Sequence, residues 1–343
     1  MLFAGVSWSA DGFTVEVIDD AGQPAAPSRQ YDAAHVGDLI ADLIALKGSS
    51  QGQLKTVVDS TNGLIDGSLS VAGLEVYRAD PHVLGLRPPF GSVGAAQLAE
   101  LGRRPVKAEL PRLSVKDGTL RGRIPELEDG WYLIQERMDD MASAGTLLRH
   151  GSRDTDTVAL SFDDGPHPLY TGQVLDVLAR YDVPATFFCT GLSVNALGTD
   201  IARMAEAGHC VGNHTWSHPY LPDLTPSELR EQVERTSDAI TRVTGERPDL
   251  MRPPYGSLTP RVMDMWTGFD EKIAMWDVEV DDWAMPGADI IAERALSQAR
   301  PGSVILMHDA GGDRSQTVEA LPAIIEGLLE RGLKPVTIPE IAV

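Results

Sequence analysis

Apolar residues in the second half of the chain gather into short runs separated by longer segments of helical period. The runs are Thr157 to Ser161, Ala185 to Cys189, His209 to Gly212, Asp249 to Arg252, Lys272 to Val280, Ser303 to Met307 and Lys334 to Ile338. Short apolar runs of this kind suit strands buried on both faces. Between them, Tyr170 to Tyr181, Asp200 to Ala207, Ser227 to Val243, Asp289 to Ala299 and Thr317 to Arg331 repeat apolar side chains three and four apart, as helices with one buried face do. Thr225-Pro226-Ser227-Glu228 gives a helix start: a capping hydroxyl, a proline in the first turn and a glutamate at the third position. Gly208, Gly245 and Gly332 follow helical runs, where a left-handed terminal residue is expected. Alternating strand and helix predicts an α/β fold with a parallel sheet, open or closed into a barrel.

The first hundred residues keep a different rhythm. Phe3 to Ser7, Gly12 to Ile18 and Ser28 to Tyr31 read as three short strands, divided by turns at Ala10-Asp11-Gly12 and Asp20-Ala21-Gly22. A helix (Ala34 to Leu46), a strand (Leu54 to Asp59), a helix (Leu64 to Ala72) and a strand (Leu74 to Ala79) follow. The pattern then weakens: Leu113 to Arg123 suggests a hairpin turning at Asp117-Gly118, and Trp131 to Met141 a helix. Three regions result: a small α/β domain over 1–105, a connector over 106–150, and a larger α/β domain over 151–343.

With 343 residues there is room for two domains, and 43% hydrophobic with 23% charged residues is a globular composition. The formal charge of −21 opposes binding to nucleic acid or to anionic membranes. No apolar stretch approaches the roughly 20 residues that span a bilayer. Met1-Leu2-Phe3-Ala4-Gly5-Val6-Ser7 lacks a basic lead-in and reads as a first strand, so a cytoplasmic location is expected, with export by another route as the alternative. The two cysteines, Cys189 and Cys210, are too few for a disulfide scaffold. Their strands could be neighbours, which permits a bridge, but two small buried thiols is the preferred reading.

Five polar stretches stand at or just past the ends of the predicted strands: Ser161-Phe162-Asp163-Asp164-Gly165-Pro166, His214-Thr215-Trp216-Ser217-His218, Arg252-Pro253-Pro254-Tyr255-Gly256, Asp282-Trp283 and Leu306-Met307-His308-Asp309. Parallel α/β folds place active sites at the C-terminal ends of their strands. His214 and His218 are four apart, so on one helical turn both imidazoles face the same way. Asp164, from a separate strand end, completes a set of two His and one Asp that leaves positions open for water and substrate, as catalytic zinc requires. Asp163, next to it, can take a proton while Asp164 holds the metal. Two adjacent buried carboxylates need cations to stay ionised, and Arg252 can serve Asp163. His308, at a strand mouth, could donate a proton to a leaving amine. Asp282 could hold and charge it, although Asp309 could equally satisfy that imidazole. Trp283 and Leu306 either line a small apolar pocket or pack in the core. The Tyr255 backbone N–H could face a developing oxyanion. Met263, Met265, Met275 and Met285 are assigned to packing.

These five stretches, in this order, resemble the motifs of the NodB-homology domain of the polysaccharide deacetylases, carbohydrate esterase family 4, over residues from about 154 to 343. The resemblance implies a distorted (β/α)7 barrel. It also implies roles: Asp163 as catalytic base; Asp164, His214 and His218 as metal ligands; Arg252 orienting the base; Tyr255 at the oxyanion site; Asp282 supporting His308 as general acid; and Trp283 with Leu306 holding the acyl methyl. Ser161 replaces a usual Thr, and Glu279 and Val280 stand where Asp and Thr are commoner. The first 105 residues resemble, more weakly, the RNase H-like fold. Ser7 stands where that fold's nucleases carry an Asp, Asp59 could match a second acid, and no acidic pair occurs around Ser92 to Ala96, so a non-catalytic domain is expected.

The expected function is therefore metal-dependent removal of N-acetyl groups from an amino-sugar glycan such as chitin oligosaccharide or peptidoglycan. The expected cofactor is a divalent ion, zinc first, with Co2+ or Mn2+ possible. The expected partner is the acetylated glycan, with no nucleic acid and no membrane. An O-acetyl esterase acting on acetylated xylan, or a glycan-binding protein without turnover, are the rival readings.

Overall fold

The computed structural model describes residues 1–104, 110–114 and 131–341. The predicted Asp117-Gly118 hairpin lies outside the described residues. Asp19 turns the chain after the second strand, accepting hydrogen bonds from the N–H groups of Ala21 and Gln23 at 2.9 Å each. Strands β1 (Leu2–Ser9), β2 (Gly12–Asp19) and β3 (Pro24–Tyr31) thus form an antiparallel meander. β4 (Leu54–Asp59) pairs parallel with β1, and β5 (Glu75–Ala79) parallel with β4, giving the order β3-β2-β1-β4-β5. Helices α1 (Val36–Ser49), α2 (Gly63–Val71) and α3 (Ala95–Arg103) belong to this layer.

The second sheet consists of β6 (Leu147–Leu148), β7 (Thr157–Asp163), β8 (Thr186–Cys189), β9 (Cys210–Asn213), β10 (Leu250–Met251), β11 (Lys272–Ala274), β12 (Val278–Glu279), β13 (Val304–His308) and β14 (Lys334–Val336). All pairings are parallel, in the order β12-β13-β7-β8-β9-β10-β11-β6, with β14 alongside the start of β7. Its helices include α4 (Trp131–Ser143), α5 (Tyr170–Tyr181), α6 (Pro226–Thr244), α7 (Ala288–Gln298) and α8 (Ser315–Glu330). The sheet curls into a distorted (β/α) barrel. β7 and β8 are almost wholly buried, which is why their sequences carry no alternation.

Two features depart from the sequence reading. Lys272 to Val280 is two strands: the first ends at Ala274, where the carbonyls of Ala274 and Met275 accept from Arg252 at 3.1 and 3.2 Å, and the second begins at Val278. Leu147–Leu148, assigned by sequence to the connector, is the edge strand beside β11. The Thr225 start behaves as expected: Thr225 Oγ1 accepts from the Glu228 N–H, and the Glu228 carboxylate accepts from the Thr225 N–H at 2.7 Å. Gly245 closes α6 with φ +81°. Cys189 and Cys210 lie on neighbouring strands as free thiols, and burial raises the pKa of both, that of Cys210 to about 12. No helix among the described residues is long and apolar enough to cross a membrane.

The two layers share one apolar core. Trp8 meets Phe90 edge-on at 5.2 Å, and Phe90 meets Trp216 at 5.5 Å, so the contact runs from the first strand to the loop after β9.

Candidate active site

Five strand ends deliver the site. β7 ends at Asp163, β13 ends at His308, and the loops after β9, β10 and β12 bring His214 and His218, Arg252 and Tyr255, and Asp282 and Trp283. The ligand atoms of Asp164, His214 and His218, all buried, lie within 4.8 Å of one another. His214 Nε2 is 3.4 Å and His218 Nε2 3.2 Å from Asp164 Oδ1. The two histidines converge without a helix. Thr215 and His218 have φ of +63° and +57°, and this left-handed loop brings the rings to 4.9 Å. Asp164 and Tyr255 are left-handed too, at +77° and +59°. Non-glycine residues held in this region cost of order 1–3 kcal/mol each and cluster where a geometry is over-determined.

The donor set fits a cation. His214 Nδ1 is 2.7 Å from the carbonyl of Arg252, which can only accept, so the proton sits on Nδ1 and Nε2 presents a lone pair to Asp164. The buried Asp164 Oδ1 makes no hydrogen bond among the described residues. Facing acceptors in a dry site repel unless a positive charge lies between them. The loop carrying the two histidines is braced from α6, where Gln232 Oε1 accepts from the N–H groups of Trp216 and Ser217 at 2.8 and 3.0 Å.

On one side stands Asp163, with Arg252 Nη1 donating to it at 2.7 Å. Arg252 is fully buried, between Phe188 at 4.1 Å and the two carbonyls of the broken strand, and it also donates to Ser161 Oγ at 2.9 Å. On the other side is His308. Its Nδ1 is 2.7 Å from Asp282 Oδ1, its backbone N–H donates to Asp282 Oδ2 at 2.8 Å, and Thr317 Oγ1 donates to the same oxygen at 2.8 Å. Burial opposes a charge on His308, but the Asp282 carboxylate outweighs it and raises the pKa to about 9. For Asp282 burial pushes upward, and the imidazolium more than cancels this, so its pKa is lowered. Asp309 is not the partner of His308. It faces Thr171, which donates to it, and burial raises its pKa to about 7.

A cavity of about 280 Å³ opens above the triad, lined by Asp163, His308, Tyr255, Trp283 and Leu306 among others. Trp283 is 38% exposed, so it is a wall of the cavity and not core, while Leu306 is buried beneath it. Met285, assigned to packing from the sequence, lines the cavity in a left-handed turn with φ +54°. Gly311 and Gly312 were missed. A Cβ on Gly311 would overlap Asp164 Oδ2, and two glycines after a predicted site histidine were a signal open to reading.

The polysaccharide deacetylase family model matches residues 150–267. A chitooligosaccharide deacetylase of Rhizobium leguminosarum bv. phaseoli is 39% identical over 201 residues, 54% of this chain and 88% of the relative. The chain belongs to the polysaccharide deacetylase family. A peptidoglycan-N-acetylglucosamine deacetylase of Bacillus cereus is 39% identical over 183 residues, and there the match spans 53% of this chain and 66%, just under two thirds, of the relative. Among solved structures, the peptidoglycan N-acetylglucosamine deacetylase Bc1960, bound to a substituted N-hydroxybenzamide, superposes with a TM-score of 0.56 at 36% identity, covering 57% of this chain and 92% of that one. Family membership thus rests on the barrel that carries the site.

Proposed function

We infer that this chain is a metal-dependent deacetylase that hydrolyses the N-acetyl amide of an amino-sugar glycan of the chitooligosaccharide or peptidoglycan type. One observation carries the reading: an arginine-paired carboxylate and an aspartate-held imidazole flank an Asp-His-His triad in one cavity. Asp164, His214 and His218 would hold a divalent ion, zinc first, which when bound supplies Lewis-acid polarisation of the acetyl carbonyl and a lowered pKa for water.

The chain's own groups then have distinct tasks. Asp163, held in place by the Arg252 guanidinium, accepts a proton from the attacking water as its oxygen bonds to the acetyl carbon. The Tyr255 N–H faces the oxyanion that forms. His308, charged by Asp282, delivers its proton to the nitrogen as the C–N bond breaks, releasing acetate and a free amine. Trp283 and Leu306 enclose the acetyl methyl. An ester would need the His308 proton less, since an alkoxide is a better leaving group than an amide anion.

We also infer that residues 1–105 are a non-catalytic domain with the RNase H-like strand order, supported by β3-β2-β1-β4-β5. Asp59, its candidate acid, is committed to structure, accepting from Thr61 N–H and Oγ1 at 2.9 Å each. The test of the function is acetate release from N-acetylglucosamine oligomers, peptidoglycan and acetylated xylan, after chelation and with Zn2+, Co2+ or Mn2+ restored. Turnover on the amides that disappears with the metal is expected, and xylan as the sole substrate would overturn the amide reading.

A further inference from the structure

The cavity has a wall that the barrel does not supply. Gly63, Asp66, Gly67 and Val71 of α2, in the first domain, line it together with the metal triad. These positions are spaced 0, 3, 4 and 8, one face of a helix. Gly63 lets that face lie flush on the barrel. A Cβ on Gly63 would overlap the His218 carbonyl oxygen and the Tyr255 hydroxyl, and one on Gly67 would sit 3.5 Å from the Gly311 carbonyl. Over about 6 Å of helix rise, α2 therefore crosses from the metal-ligand loop to the loop after β13.

The docking is built in. Ser217 Oγ donates to the Thr61 carbonyl at 2.7 Å, buried, one residue from His218. Arg87 reaches Glu228 at 3.3 Å and donates to the Asp223 carbonyl at 3.1 Å, and Arg235 stacks over Phe90 at 4.4 Å. Asp66 is 4% exposed and still lines the cavity. The opposite rim is open: Trp283 is half-exposed and Glu279 exposed.

We propose that α2 is the closed end of the substrate site, so that the enzyme acts on the acetylated unit at or next to the end of a short amino-sugar chain and not along the interior of a polymer. Asp66 is a specificity residue, accepting hydrogen bonds from hydroxyls of the bound sugar. This rests on the deacetylase reading above. The cavity volume, about 280 Å³, lies at the lower edge of small-molecule pockets, about 300–1,000 Å³. With α2 as the closed end, a continuous glycan strand entering from the Trp283 side has no exit past Gly63 and Gly67.

The test uses the full chain loaded with Zn2+, acetylated chitin oligomers of two to six units, and glycol chitin as a soluble polymer, with mass spectrometry locating each freed amine. kcat/KM per acetyl group should be at least about tenfold higher on oligomers, with one end unit modified. Asp66→Asn should raise KM about tenfold with kcat nearly unchanged, the effect of losing one charged hydrogen bond. Gly67→Leu, whose side chain would enter the cavity, should cut kcat/KM at least about tenfold while the unfolding midpoint stays within a few degrees. Polymer deacetylated along its length as fast as oligomers, or wild-type kinetics in both variants, would overturn the proposal and leave the reaction standing. Absence of acetate from every substrate, with Zn2+ bound, would overturn both.

Discussion

The two sheets of this molecule use buried polar residues to opposite ends. In the first domain Asp59 lies at the end of β4, a position favoured for active sites in parallel sheets, yet its contacts tie the fold together: Thr61 within its own turn, the Val93 N–H at 3.3 Å and Arg87 at 3.5 Å. Asp163 and Asp164 also stand at a strand end, that of β7, but one carboxylate is paired to a fully buried arginine and the other faces the Nε2 atoms of two imidazoles. A strand end becomes a site when its polar groups are left more charge than the fold itself can satisfy.

The sharpest way to break that contrast is to neutralise one acid in each domain. Asp163→Asn should lower kcat by about 10³-fold or more, at the upper end of what a general base contributes, with the circular dichroism spectrum unchanged. Asp59→Asn should leave kcat within a factor of a few and lower the unfolding midpoint instead, since the amide NH2 cannot accept at one of the two oxygen positions that take bonds from Thr61 and the Val93 N–H. Equal losses of turnover in both variants would erase the distinction.

Next in size is the imidazole. His308→Ala should cost about 10²–10³-fold in amide turnover, and less on an ester. Because His308 titrates at about 9, its acid form dominates below that pH and is lost as pH rises through it, so kcat should fall on the alkaline side near 9. Asp282→Asn removes the charge that sustains the imidazolium. The alkaline limb should then move down toward the ordinary imidazole value, about 6.5. A limb that stays fixed in this variant would assign the proton to another group.

Much of the barrel was legible in the sequence, and so was the set of polar residues that converge on one cavity. Tyr170 to Tyr181 was read to the residue, because one apolar stripe and a charged last turn leave little choice. The polar stretches were legible because each interrupts an apolar strand. What failed was local: His214 and His218 sit on a left-handed loop and not on a helical turn, a geometry that their spacing does not encode. Met285 likewise looked like core. The α2 wall could not have been read, since Gly63 meets His218 and Tyr255, and Asp66 shares their cavity, only through a domain contact more than 150 residues away in sequence. The glycine-x-x-x-glycine spacing is visible, but its partner surface is not.

Gly63 gives an intermediate prediction, because it touches the ligand loop without offering any chemistry. Gly63→Ala forces a methyl group into the His218 carbonyl and the Tyr255 hydroxyl. Groups that only orient ligands typically change metal affinity by 10–100-fold, so zinc competition with a chromophoric chelator should show a loss of about tenfold. Gly48→Ala, on α1 with nothing within 4 Å of the added carbon, should leave affinity untouched.

The smallest effect separates helix support from domain support. Glu228 does two things at once: it completes the cap of α6 through the Thr225 N–H, and its other oxygen meets Arg87 of the first domain at 3.3 Å. Thr225→Ala removes the cap hydroxyl alone and should cost about 1 kcal/mol of stability, with KM and kcat unchanged. Glu228→Gln keeps the reciprocal cap, since glutamine serves at that position as well, but removes the charge facing Arg87. If the first domain braces the catalytic loop through this contact, Glu228→Gln should raise KM on oligomers by a factor of a few while losing less stability than Thr225→Ala. If both variants change only the unfolding midpoint, the bracing lies in the edge-on Trp8–Phe90–Trp216 contacts and the buried Ser217–Thr61 bond, since one partly screened ion pair contributes little.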